Sequence, residues 1–93
     1  SKGNIMAYAL SGLQQIGPGG KAPRMWVYST TDAIATVNTE GYFNDATDLL
    51  QVRDIIWVCD TSTPTTNIVS VLSNASDVVD ISDGTAISET DTD

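Results

Sequence analysis

The chain has no histidine, one cysteine and only four basic residues among its 93, and each shortage removes a class of chemistry. Without histidine, a hydroxyl nucleophile would have to take its base from Lys2 or Lys21, both close to the N-terminal end. A transition-metal site would have to be assembled almost wholly from carboxylates, which suit harder ions. Cys59 stands alone, so no internal disulfide can form, and it says nothing about redox compartment. Four cations against twelve acids leave a net charge of −8. That balance disfavours nucleic acid as a partner, because phosphate neutralisation needs clustered Lys and Arg. No apolar run approaches the roughly 20 residues of a membrane helix. The first ten residues also lack the basic cluster and apolar stretch of a signal peptide. The expectation is a non-enzymatic protein with no cofactor, no resident metal and neither nucleic acid nor membrane as partner.

What charge there is lies segregated. Residues 1–24 hold Lys2, Lys21 and Arg24 with no carboxylate, and the rest carries every acid with only Arg53 to offset them. The division suggests an N-terminal arm and Gly/Pro linker over residues 1–23 and an acidic β-domain over residues 24–93. A chain of this length makes one domain and buries about two-thirds of the surface that its unfolded form exposes. Ile5, Tyr8 or Ala9, Leu13 and Ile16 recur at spacings of three to five, which predicts a short amphipathic helix over residues 4–16, weakened by Gly12. Gly17-Pro18-Gly19-Gly20 and Pro23 then stop regular structure.

From Arg24 the pattern changes to short β segments. RMWVYS, Arg24–Ser29, reads as the first strand, and Ile55–Cys59 as the clearest one. Thr61–Asn67 with Pro64 reads as a loop, Ile68–Leu72 as a returning strand, and Val78–Ile81 and Ala86–Ser88 as two short final strands. Thr30–Thr39 is ambiguous between helix and strand. Gly41–Ala46 looks like a turn into a short helix ending near Leu50, with Tyr42 or Phe43 inward. The fold class is therefore mainly β, a small barrel or sandwich of about five to seven short strands with an extended or short-helical N-terminal arm. On the strand Ile55–Cys59, alternation puts Ile55, Trp57 and Cys59 on one face and Ile56 and Val58 on the other, so the strand is central or covered by a partner.

Few residues invite a chemical reading, and each has a simpler one. Asp77, Asp80 and Asp83 offer oxygen ligands, but their spacing lacks the dense alternation of a calcium loop, and solvated loop carboxylates account for them better. Cys59, flanked by apolar residues with no cation nearby in sequence, reads as a small buried hydrophobe. Glu40 and the aspartates could be paired for glycoside hydrolysis, but so small a domain has little room for a sugar cleft. Asn74-Ala75-Ser76 matches a glycosylation acceptor, read here as a chance match.

The stretch GPGGKAPRMWVYSTTDAIATVNTEGYFNDATDLLQVRDIIWVCDTS, followed by VLSNASDVVDISDGTAI, resembles a group of small structural proteins of tailed bacteriophages. The shared features are a glycine-rich linker, a (W/I)-x-Y-x-T-x-D-x-x-A-T-V run, a GYFN turn, an LL-x-V-G-D-x-I entry and an acidic close. They cover about residues 17–93. Arg53 departs from the pattern, standing where glycine is expected before Asp54.

The resemblance implies a virion component, assembled in the host cytoplasm, with no catalytic residues. It points first to a capsid decoration or cement protein bound to the major capsid protein, in multiple copies or as a homo-oligomer. In that reading Ile5, Met6, Tyr8, Leu10, Leu13 and Ile16 are the arm's apolar anchors, and Lys2, Lys21 and Arg24 meet acidic capsid patches. Alternatively residues 4–16 fold back as a helix capping the domain. Two other functions compete: a tail or neck adaptor or fibre-anchoring module, and a glycan-binding β-domain that stacks sugars on Trp26, Trp57, Tyr28 and Tyr42.

Overall fold

The computed structural model describes residues 12–17 and 23–90. The chain is mainly β, with six strands among the described residues, inside the expected range of five to seven. They are β1 (Leu13–Ile16), β2 (Met25–Thr30), β3 (Ile55–Asp60), β4 (Thr65–Ala75), β5 (Val78–Ile81) and β6 (Thr85–Ala86). They form one open sheet in the order β1-β2-β3-β4-β5, with β6 beside β4. The sheet is not closed into a barrel.

β2 and β3 are parallel, and every other pair is antiparallel. A parallel pair needs a long crossover. Residues 31–54 supply it, and they carry the helical turn α1 (Ile34–Val37) and a 3-10 turn, Asn44–Ala46. The crossover lies on one face of the sheet. Its Val37, Tyr42, Phe43, Ala46 and Leu50 pack with Trp26, Tyr28, Ile56, Val58, Val69, Val71, Val79 and Ile81 into a single core, with Ile34 against it. Thr30–Thr39, ambiguous in sequence, thus becomes the end of a strand and one helical turn.

The helix predicted over residues 4–16 is not what Leu13–Ile16 form. They are a strand paired with β2 in the register Leu13↔Tyr28 to Ile16↔Met25. Leu13 is buried and Ile16 exposed. The spacing from Leu13 to Ile16 fits a helix face, yet here the free edge of β2 supplies the backbone partners, and tertiary pairing overrides a pattern that Gly12 already weakened. The rest of that expected helix lies outside the described residues.

The long strand β4 changes partners along its length. Its first half lies between β3 and β6, and its second half pairs with β5 after a register shift between Val71 and Ser73. The predicted loop Thr61–Asn67 is accordingly shorter, since Thr65–Asn67 already belong to β4. The turn there is held by Asp60, whose Oδ1 accepts from the N–H groups of Ser62 at 2.9 Å and Thr63 at 3.1 Å.

Candidate interaction surface

The two sheet faces differ in chemistry because the side chains alternate. Inward-pointing Ile56 and Val58 on β3 are almost wholly buried, whereas Ile55, Trp57 and Cys59 are half-buried on the opposite side. The register aligns three rows on that outer face. Ile16, Met25, Ile55 and Ser70 make one; Gln14, Val27, Trp57 and Ile68 the next; Ser29, Cys59 and Thr66 the third. None of these residues is charged, on a chain of net charge −8. Ile16 is 44% exposed and Met25 40% exposed, so the apolar surface reaches solvent. Beyond the third row a shallow cavity of about 360 Å³, wide open to solvent, is lined by Cys59, Asp60, Thr61, Pro64, Thr65, Thr66 and Glu89. Cys59, expected to be buried, is half-buried at its wall, because on β3 the core side belongs to Ile56 and Val58.

One sheet edge is closed. Val79 on β5 accepts from Gly41 N at 3.0 Å and donates to Asn44 Oδ1 at 2.9 Å, so the crossover occupies the polar groups another strand would use.

Two hydrogen-bonded clusters of polar groups serve the fold itself. Asp54 is fully buried. Its Oδ1 accepts from Arg24 N at 2.9 Å, and its Oδ2 accepts from Trp26 Nε1 at 2.9 Å and Gln51 N at 3.1 Å. Arg24 Nη2 lies 3.4 Å from Oδ2 and also donates to Leu49 O, and the guanidinium sits 5.2 Å from the Trp26 ring centroid. A buried carboxylate is tolerable only when so paired and hydrogen-bonded. Arg24, expected to face a partner, thus has its guanidinium engaged within the fold. Sequence reasoning missed Asp54. The one available sign was an acid directly before the strongest apolar strand.

A second polar chain runs Tyr28 Oη to Tyr42 Oη at 2.8 Å and Tyr42 Oη to Asp32 Oδ2 at 2.6 Å. Tyr42 donates to the carboxylate, so Tyr28 donates to Tyr42. Burial, and then the bond to Asp32, push the Tyr42 hydroxyl far above its ordinary value of 10.0. Tyr28, Tyr42 and Phe43 stack edge to face with centroids 5.0–5.9 Å apart.

The four aromatics proposed as a sugar-stacking surface do not share one. Trp26, Tyr28 and Tyr42 are buried, and only Trp57 is partly accessible. Among the described residues, no three His, Cys, Asp or Glu side chains come together in a way that could hold a metal ion. Asp77 sits in the β4–β5 turn, where Ser76 and Asp77 both have positive φ. Asn74, the apparent glycosylation acceptor, spends its amide on Thr47 O at 2.9 Å and Leu50 O at 2.7 Å. No described helix is long and apolar enough to cross a membrane. Of the other expected arm residues, Leu13 is in the core and Ile16 on the outer face, while Lys2, Ile5, Met6, Tyr8, Leu10 and Lys21 lie outside the described residues.

No family model, curated protein or solved structure matches the chain. The motifs behind the phage resemblance fall on the frame of the fold: Trp26, Tyr28, Asp32 and Val37 from the first, Tyr42, Phe43 and Asn44 from the turn, Leu50 and Asp54 from the hairpin entry.

Proposed function

We propose that the chain is a non-enzymatic structural protein of a tailed-phage virion, a decoration or cement protein carried in many copies on the major capsid protein. The observation that carries this reading is the uncharged apolar outer face on a strongly acidic molecule. An uncharged, largely apolar face on a chain of net charge −8 supports a contact with protein. Ile16 extends it to the sheet edge, and the N-terminal segment of the sequence adds further uncharged apolar residues, Ile5, Met6, Tyr8 and Leu10. A contact repeated over a lattice can be weak in each copy and still hold the coat, because linked contacts raise the effective concentration.

The test is stoichiometry on purified particles. Hundreds of copies per particle are expected. A dozen or fewer would transfer the protein to the tail or neck, and its absence from particles would remove the virion reading. Particles lacking the native protein should take up the added chain, and the double variant Tyr8→Asp/Leu10→Asp should sediment with them far less, because each change places an unpaired charge where water must be excluded.

A further inference from the structure

The size of the outer face decides what can cover it. Four strands about 4.8 Å apart span roughly 14 Å, and five residues at about 3.3 Å each span roughly 17 Å. Such a patch falls well short of the roughly 800 Å² per partner that stable protein interfaces bury. A second copy laid face to face would be held weakly. A short segment fits better.

Residues 4–10, NIMAYAL, carry no charge and are apolar after Asn4, matching rows that also carry none. They lead directly into Gly12, which packs so closely on β2 that a Cβ there would lie 2.4 Å from Ser29 O. Ser29 shares its row with Cys59 and Thr66, and both of those line the 360 Å³ cavity. The chain therefore enters the sheet at the end of the face where the cavity opens. Residues 4–11 reach about 26 Å if extended and about 12 Å if helical, so the segment can cover most or all of the way from β1 to β4 in either form. Lys2 would follow toward a cavity whose lining contributes only negative charge, from Asp60 and Glu89.

We propose that residues 4–10 dock on the outer sheet face of their own chain, over Trp57 and into the cavity beside Cys59. The docking concerns the free protein and stands apart from particle binding. If a capsid takes up the segment, attachment is an exchange that uncovers the face.

The lone thiol makes the test direct. Three full-length variants, Met6→Cys, Tyr8→Cys and Leu10→Cys, are oxidised under native conditions at several protein concentrations. At least one is expected to close an intramolecular disulfide to Cys59, seen as loss of both free thiols in a monomer and abolished by Cys59→Ser. A disulfide-linked dimer that grows with concentration would overturn the proposal in favour of a second copy. Free thiols in all three variants would overturn docking altogether. As a second readout, Met6→Asp/Tyr8→Asp should raise the rate of Cys59 modification several-fold with unchanged circular dichroism, and an unchanged rate counts against the proposal. Particles play no part in either measurement, so failure here and failure of the virion reading are told apart.

Discussion

Arg53 has a φ of 81°, in the left-handed region that favours glycine over any residue with a side chain. The turn is kept: Arg53 N donates to Val71 O at 2.8 Å, which starts the β3–β4 ladder. A non-glycine residue in the left-handed region costs about 1–2 kcal/mol, and glycine's extra unfolded-state freedom costs about 0.5–1 kcal/mol. The difference favours glycine. Arg53→Gly is expected to stabilise the fold by roughly 0.5–1 kcal/mol, read as a higher urea midpoint at unchanged slope, while Arg53→Ala gives no gain. Tyr42 supplies a pH signature. Its folded-state pKa is raised above the unfolded value of 10.0, so the stability it contributes is complete below pH 10 and is lost as pH rises beyond it. Urea midpoints across that range should fall more steeply for the wild-type chain than for Tyr42→Phe. At neutral pH Tyr42→Phe should cost about 1–3 kcal/mol, because it removes the acceptor of Tyr28 and the donor to Asp32.

At the scale of elements, strand positions were legible where alternation or an apolar run was strong. Ile55–Asp60 and Val78–Ile81 are within a residue of expectation, and the inward position of both Tyr42 and Phe43 follows from the GYFN turn. The spacing that predicts a helix over residues 4–16 gives way to a strand at Leu13–Ile16, because the free edge of β2 offers backbone partners that no local spacing encodes. The β4–β5 turn was also obscure, since Ser76-Asp77 occupies two positive-φ positions usually marked by Asn-Gly. The crossover is tied to β4 by Asn74, whose amide bridges Thr47 O and Leu50 O. Asn74→Ala should destabilise by about 1–3 kcal/mol by leaving two part-buried carbonyls unpaired. Asn74→Asp should cost more at neutral pH despite its matching shape, since a carboxylate would face those oxygens, and acid should recover part of the loss. Thermal midpoints of both variants at two pH values check the order.

For the whole molecule, composition and alternation determined the class: a small, mainly β, acidic chain whose strongest strand has two apolar faces. Charge could be counted in sequence because it is a sum over residues. Where charge is absent could not, because the uncharged surface exists only once the register lines up Ile16 with Met25 and Ile55, and Val27 with Trp57 and Ile68. Which face of β3 is core was equally undecidable from alternation. It was settled by the crossover, which covers Ile56 and Val58 with Phe43 and Leu50 and leaves Trp57 and Cys59 on the other side. The role of Asp54 belongs to tertiary structure for the same reason: its partners Arg24 and Trp26 are 30 and 28 residues away in sequence, and parallel pairing of β2 with β3 brings them together. Local pattern specifies elements, because it depends on neighbours in the chain; the faces and sites built from them depend on pairings that no local pattern encodes.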